Sequence, residues 1–132
     1  MGEQLLLRTG RAPLSFTGTL LYEESSSVGR RQRGGKEVDS LRWHEVALWQ
    51  MGSKYVLHIA YRSAWRGEPS FYEAHILASP DEVEGFLDRH DCTAHVIGFP
   101  KEERYQQKQR ALLADLQTRF RKMVSKLCFA EL

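Results

Sequence analysis

A histidine and a glutamate on one face of a predicted β-hairpin are the residues of this chain best placed to do acid–base chemistry. Residues 41–51 and 54–62 are rich in β-branched and aromatic side chains and flank a Gly-Ser turn. Pairing across that turn makes His58 and Glu45 diagonal neighbours. A carboxylate beside a histidine can act as a general acid–base pair. A small enzyme of unknown reaction that uses His58 and Glu45 is therefore one prediction, and a surface hydrogen bond is the alternative.

Three potential metal ligands, His90, Cys92 and His95, fall within six residues. Zinc needs four protein ligands in structural sites and three in catalytic sites. No second Cys/His pair at a typical spacing completes such a set, and the sequence holds no nucleophile motif or phosphate-binding loop. We therefore expect neither a metal nor a cofactor. His90 reads as a helix-end residue and Cys92 as a partly buried thiol.

Tryptophan and arginine on the same hairpin face suggest stacking chemistry instead. The register pairs Trp43 with Arg62 and Trp49 with Val56. Nucleic-acid bases stack on exposed aromatic rings, and phosphates contact arginine and lysine. Burial of this face under a helix is the alternative, and the sequence leaves both open. The predicted nucleic-acid-binding residues are Trp43, Trp49, His58, Arg62, Arg30, Arg31, Arg33 and Lys36.

The Gly-Ser turn also fixes which residues share each face of the hairpin. A two-residue Gly-X connection is typical of a type II′ turn, because glycine adopts a positive φ at the first central position without strain. The resulting register places four apolar side chains on the face opposite His58. We expect these to form the core: Val46, Leu48, Leu57 and Ile59.

Strands are predicted on both sides of this hairpin, so the sheet is expected to be a meander of sequential neighbours. Leu14–Tyr22 reads as the first strand, with Gly18 at a bulge, and Ser70–Leu77 as the strand after the hairpin. Between Glu23 and Ser40 the chain is polar, with four basic residues in the run from Arg30 to Lys36. We expect residues 23–40 to be a mobile basic loop.

Helix signals follow the strands. Ser79 suits an N-cap, Pro80 the first helical position and Glu82 the end of a capping box. A short helix is therefore expected from here to near Asp91. Thr93–Phe99 reads as a short β-like run.

A long C-terminal helix is predicted over residues 101–128. Its apolar residues step by three and four positions, which is the spacing of a coiled-coil seam: Leu113, Leu116, Phe120, Met123 and Leu127. This seam can dock on the sheet or pair two chains. We expect a homodimer through the C-terminal helix or the sheet, since two-fold pairing is the commonest assembly.

Length and charge bound the class of protein. The 132 residues fit a single domain over 1–132, and a net charge of +2 is too small to indicate a partner. No apolar run is long enough to cross a membrane, and no signal peptide is recognised. The only cysteines, Cys92 and Cys128, are expected to be reduced. The prediction is a cytoplasmic protein without a membrane partner.

The order of elements over Arg42–Leu87 resembles that of single-stranded-DNA-binding transcriptional coactivators. The shared pattern is a strand, a Gly-Ser-Lys turn, a strand that ends in arginine, a Gly-containing loop, an apolar strand and a helix. A twisted meander followed by a helix is also the plan of Whirly-type proteins. The resemblance covers about a third of the chain. It is a likeness of pattern without a diagnostic motif, and it transfers no binding residues.

Together these patterns predict an α+β domain. An antiparallel β-meander of four to five strands is expected to pack against a short helix and a long C-terminal helix. The leading functional prediction is non-catalytic binding, with single-stranded nucleic acid on the Trp/Arg-bearing sheet face as the first candidate ligand. A homodimeric protein-interaction module and the small enzyme described above are the alternatives.

Overall fold

The computed structural model describes residues 2–27, 41–96 and 103–127 of the chain. The strands pair in chain order as one antiparallel sheet, which confirms the α+β class and the meander. The predicted C-terminal helix is too long at its C-terminal end, because residues 125–127 are not helical. Its residues 101–102 and 128, and residues 28–40 of the predicted basic loop, lie outside the described residues. The elements are β1 (Gly2–Arg8), β2 (Arg11–Ser25), β3 (Arg42–Met51), β4 (Lys54–Ser63), β5 (Phe71–Leu77), α1 (Pro80–Arg89) and α2 (Glu103–Val124).

The β3–β4 hairpin has the predicted register and turn. Ala47 lies opposite His58, and every other pair also follows the predicted alignment. Gly52 has a φ of 61°, whereas no residue other than glycine has a positive φ in the described part of the chain. Ser53 therefore has a negative φ. This combination identifies a type II′ turn, because a type I′ turn needs a positive φ at both central residues.

The N-terminal hairpin is absent from the sequence prediction. There is an additional strand, β1, and β2 extends beyond Leu14–Tyr22 at both ends. The first part of β2 pairs with β1 and the second part with β3, so β2 changes partner along its length. The register shift lies between Leu20 and Tyr22 rather than at Gly18. Gly18 is needed for a close approach, since a Cβ there would lie 2.7 Å from the carbonyl oxygen of Gln50.

Two separate cores form on the two faces of the sheet. The tip of the β1–β2 hairpin is held over one face by two hydrogen bonds of 2.8 Å, from Thr9 N–H to the Tyr72 carbonyl and from Tyr72 N–H to the Thr9 hydroxyl. We call this covered face the concave face and the other the convex face. The concave core contains Leu6, Phe16, Ala47, Trp49 and Val56. The convex core contains the four predicted core residues of the β3–β4 hairpin, together with residues of both helices.

Both helices pack on the convex face. α1 begins as predicted, because the Ser79 hydroxyl accepts a hydrogen bond from Glu82 N–H at 3.2 Å. The seam of α2 docks on the sheet, where its buried residues include Leu116, Phe120 and Met123. This packing uses the apolar face on which the pairing of two chains through α2 would depend. The homodimer stays a prediction.

The segment after α1 turns instead of extending. The predicted β-like run over Thr93–Phe99 is wrong in its described part, because residues 92–95 form a turn. The Asp91 carboxylate accepts hydrogen bonds from the N–H of Thr93 at 3.0 Å and from its hydroxyl at 2.8 Å. A carboxylate bonded two residues ahead stabilises a turn at the expense of a strand.

Candidate binding cleft

A cleft of about 490 Å³ opens on the concave face beside the β1–β2 hairpin. The hairpin covers only part of this face, so a section of β2, β3 and β4 stays open next to it. The volume lies in the range of small-molecule sites. The cleft is lined by Leu6, Glu23, Glu24, Ser25, Glu45, Val46, Ala47, Trp49 and His58.

Trp49 forms the apolar base of the cleft. The residue is 7% exposed, and its ring meets that of Phe16 edge-on, with centroids 5.7 Å apart. Phe16 belongs to the N-terminal hairpin, so the cover over Trp49 is a pair of strands and not a helix. A nucleic-acid base could stack on Trp49 only if this hairpin opened. The structure therefore places Trp49 beneath the cleft as a packing residue.

His58 forms a wall of the cleft and ties the hairpin to β4. Its Nε2 atom lies 2.9 Å from the carbonyl oxygen of Leu7, which can only accept, so Nε2 carries the hydrogen. Burial lowers the pKa of His58, while the Leu7 carbonyl and the charges of Glu45 and Glu73 oppose this shift. The imidazole is uncharged at neutral pH, and its ring stacks on Tyr72 at 6.3 Å.

Four side chains continue from the cleft along the concave face, and we call them the rim: Trp43, Glu45, Arg62 and Tyr72. The Glu45 carboxylate accepts from the Trp43 indole at 3.3 Å and from the Arg62 guanidinium at 3.4 Å. The guanidinium carbon lies 5.9 Å from the ring centres of both Trp43 and Tyr72. The Arg62 and Glu45 side chains are 40% and 44% exposed, so their ion pair is weak and open to exchange with a ligand.

Carboxylates set the charge of the cleft. Its described lining contains three of them and neither lysine nor arginine. Glu23 and Glu45 lie on neighbouring strands and share the concave face. Arg62 pairs with Glu45 from the rim. Glu24 lies opposite Val46 on the convex side, where Lys126 approaches it to 3.9 Å. Clefts lined by one sign of charge concentrate ligands of the opposite sign. The described lining therefore favours a cation.

The predicted phosphate-binding residues are not part of this geometry. Arg30, Arg31, Arg33 and Lys36 lie outside the described residues. On either side of them, Ser26 N–H donates to the His44 carbonyl at 2.9 Å, and Ala64 N–H donates to the Leu41 carbonyl at 2.8 Å. These bonds fix both ends of the intervening segment next to the start of β3. A role for the four basic residues in binding stays a prediction.

Four cleft residues have no counterpart in the sequence prediction. Leu6 belongs to a run of three leucines, which shows neither strand alternation nor a helical period. Glu23, Glu24 and Ser25 fall where the polar composition predicts a loop, yet they continue β2. The only available signal was the length of the polar stretch, which does not locate the end of a strand. The sequence predicts a shared face for Trp43, Glu45, His58 and Arg62, and the structure brings these residues together.

No metal centre is built by the residues that the structure describes. Within them, no group of three histidine, cysteine or carboxylate side chains is arranged to hold a metal ion. Cys92 is buried in the convex core, and the ring of His95 stacks on Phe71 with centroids 3.6 Å apart. In the same part of the chain, neither helix combines the length and the apolar character needed to cross a membrane.

The described fold and cleft define a class of domain in physical terms. It is a curled antiparallel sheet that carries two helices on its convex face and an acidic cleft on its concave face. No family model, curated protein or solved structure matches this chain. The resemblance of Arg42–Leu87 to single-stranded-DNA-binding coactivators therefore rests on the order of elements alone.

Proposed function

We propose that this protein is a non-catalytic binding module that holds a cationic ligand in the cleft on its concave face. The observation that carries the proposal is the lining, in which the carboxylates of Glu23 and Glu45 share the concave face with apolar side chains, namely Leu6, Ala47 and Trp49. Small-molecule sites are mostly apolar and use a few charged groups to orient the ligand. The fitting ligand carries an ammonium or guanidinium group next to an apolar body.

The two concave-face carboxylates have different parts in this proposal. Glu23 is exposed, and its carboxylate can pair with a ligand cation without giving up a partner in a described hydrogen bond. The Glu45 carboxylate already accepts hydrogen bonds from Arg62 and Trp43, so a ligand cation must compete with both. Surface ion pairs contribute about 1 kcal/mol or less, so this competition is weak. Glu23 is thus the stronger determinant of charge selectivity.

An NMR titration with three matched probes tests the proposal. The probes are 2-phenylethylammonium, neutral 2-phenylethanol and anionic phenylacetate, which share an aromatic ring and differ in charge. We expect the ammonium to shift the resonances of Ala47 and Trp49 at the lowest concentration and phenylacetate at the highest. Glu23→Gln should weaken ammonium binding about fivefold, which corresponds to about 1 kcal/mol.

The control for this experiment is Glu84→Gln, which removes an exposed carboxylate from α1, on the convex side of the sheet. Its affinity for the ammonium should equal that of the parent protein. Equal affinities for all three probes, or shifts confined to residues outside the cleft, would contradict the proposal.

Single-stranded nucleic acid is the second candidate ligand, and the rim is the observation that favours it. Arg62 lies between two half-buried aromatic rings, Trp43 and Tyr72, an arrangement that can stack on bases and contact phosphate. We expect Trp43→Ala to weaken binding of a labelled oligonucleotide, with Trp65→Ala as the control on the β4–β5 loop. Replacement of Arg30, Arg31 and Arg33 together should lower affinity for all sequences and flatten its salt dependence.

The same oligonucleotide also distinguishes the two ligands. If it displaces the ammonium probe and binds more tightly in low salt, nucleic acid becomes the first candidate. If it does not bind, the cation proposal stands alone. The geometry gives less support to the small-enzyme prediction, because the described hydrogen bonds do not join His58 to Glu45. His58 bonds to the carbonyl of Leu7, and Glu45 accepts from Trp43 and Arg62.

A further inference from the structure

His44 is a buried histidine on the convex side of β3. It is 1% exposed, and neither Nδ1 nor Nε2 has a hydrogen-bond partner among the described residues. A buried polar group without a partner destabilises a fold relative to an apolar side chain of similar shape. The cost would rise steeply if the imidazole gained a proton, because the charge would be buried without compensation.

The ring of Phe120, which packs α2 against the sheet, contacts the rings of both His44 and His90. The ring centroid of Phe120 lies 4.9 Å from that of His44 and 5.5 Å from that of His90. Phe120 is fully buried in the convex core. His90 is the C-cap of α1 and His44 belongs to β3. The three rings therefore join the sheet, α1 and α2 at one contact.

The groups that face His44 add no negative charge to this contact. β4 contributes Tyr61, whose ring centroid lies 5.4 Å from that of His44. The helix α2 contributes Phe120 and the guanidinium of Arg119, and the segment after α1 contributes His90, Cys92 and His95. Burial lowers the pKa of His44 to about 3, helped by the charges of His90, Arg119 and His95. The backbone of Cys92 opposes this shift, although its approach to the ring falls short of hydrogen-bond geometry.

His90 is less isolated, because one carboxylate from β5 approaches it. Glu73 Oε1 lies 3.9 Å from His90 Nδ1, but the same oxygen also accepts from His75 Nε2 at 2.8 Å. Burial lowers the pKa of His90. The charges of Glu73 and Asp91 oppose this shift, and those of His95 and Arg121 add to it.

Two arginines of α2 already bring positive charge to the contact between His44, His90 and Phe120. Arg121 donates to the carbonyls of Leu87 at 2.7 Å and His90 at 3.0 Å, and Arg119 donates to the carbonyl of Arg42 at 3.1 Å. The Arg119 guanidinium also pairs with Asp115 of its own helix at 2.9 Å. Protons on His44 and His90 would place two further positive charges beside these arginines.

We propose that His44 and His90 form a pH-sensitive joint that keeps α2 docked while both rings are neutral and releases α2 from the convex face when both are protonated. The concave core shares β3 and β4 with the convex core but none of its buried side chains, and we expect it to stay folded when α2 leaves. The expected acid state is a partly opened molecule in which the β1–β2 hairpin still covers Trp49.

Amide hydrogen exchange, measured residue by residue by NMR between about pH 7.5 and about pH 5, tests this device. Exchange at Met123 and Val124 reports the opening of α2, and exchange at Val56 reports the concave core. With two histidines that take up protons on opening, the opening constant of α2 should rise as the pH falls below about 6.5, with an upper limit of about a hundredfold per pH unit. The opening constant at Val56 should change far less.

Variants assign the effect to the two histidines. In His44→Phe or His90→Gln, one titrating group is left, so the upper limit should fall to about tenfold per pH unit. His58→Gln is the matched control, because His58 faces the concave core and does not contact α2. It should keep the parent dependence at α2.

Two results would overturn the proposal. The first is loss of protection at Val56 and Met123 with the same opening constant, which would show one global transition. The second is the parent pH dependence at α2 in the folded variants. If His44→Phe fails to fold, His90→Gln decides between the outcomes, because the His90 side chain is not fully buried and keeps 10% exposure.

Discussion

At the scale of single residues, the cleft depends on how Trp49 packs against Phe16 of the N-terminal hairpin. The indole supplies the apolar base, and the hairpin that covers it also brings Leu6 to the cleft. His58 of β4 donates a hydrogen bond to the carbonyl of Leu7 in β1. The base and one wall of the cleft are thus built by contacts between β1–β2 and the rest of the sheet.

Trp49→Ala should therefore destabilise the fold by about 3–5 kcal/mol, the usual cost when a large buried aromatic side chain is truncated to alanine. Trp43→Ala is the matched control, since Trp43 is half-buried on the same strand and face. It should cost much less. Guanidinium denaturation measures both free energies of unfolding, and equal values for the two variants would show that Trp49 is not a core residue.

His44 makes the free energy of unfolding depend on pH. Its pKa is about 3 in the folded protein and about 6.5 in an unfolded chain, so the unfolded state binds the proton more readily. The stability contributed by neutral His44 is complete above about pH 6.5 and is lost as the pH falls toward 3, by up to about 1.4 kcal/mol per unit. Urea unfolding of His44→Phe should show a correspondingly flatter pH dependence. An unchanged slope would mean that His44 is not buried.

At the scale of elements, the turn that joins β3 and β4 specifies the hairpin register. Gly52 has a φ of 61° at the first central position. Gly52→Val should destabilise the protein by about 1–2 kcal/mol, because a left-handed conformation is strained for a residue with a Cβ and more so for a β-branched one. Ser53→Val is the control at the negative-φ position. Thermal unfolding midpoints that coincide for the two variants would refute the turn assignment.

The start of α1 gives a second test at this scale. The Ser79 hydroxyl accepts from Glu82 N–H, and Ala78 N–H donates to the Glu82 carboxylate at 2.7 Å. Ser79→Ala should cost about 1 kcal/mol, because an orphan N–H of the first turn loses its acceptor. Ser53→Ala, in the turn between β3 and β4, should cost less. A stability loss no larger than that of the control would argue against the cap.

The elements also show what local sequence can specify. The Gly-Ser turn and the alternation of apolar residues fix the β3–β4 register, and Ser79 with Pro80 fixes the start of α1. The leucine run of β1 has no alternation, and the curl of the sheet follows from a contact between Thr9 and Tyr72, which are distant in sequence. The shared face of Trp43, Glu45, His58 and Arg62 is therefore predictable, whereas the cover over Trp49 is not.

At the scale of the whole molecule, the charge of the cleft lining differs in sign from the net charge of the chain. The chain has a net charge of +2, yet the described lining of the concave cleft is acidic. The convex side carries both signs, with Arg119 and Arg121 on α2 and Asp81 and Glu82 on α1. The net charge of the protein therefore gives no guide to the charge of its ligand, whereas the lining of the cleft does.

This distribution predicts how ionic strength acts on the cleft. Attraction between an exposed carboxylate and a ligand cation is screened beyond a Debye length of about 8 Å at physiological salt. The dissociation constant of 2-phenylethylammonium should rise severalfold from low to high salt, while that of 2-phenylethanol should hardly change. Calorimetric titration of both probes in matched buffers measures these dissociation constants. An equal salt response of the two probes would show that charge attraction does not contribute to binding.

The position of a bound cation inside the cleft is the central claim, and intermolecular nuclear Overhauser effects test it most directly. With 2-phenylethylammonium in excess, we expect effects between its ring protons and the Ala47 methyl group and the Trp49 indole. These effects should weaken in Glu23→Gln at the same probe concentration. Effects to the convex core, or a pattern that does not change in Glu23→Gln, would contradict a cation site on the concave face.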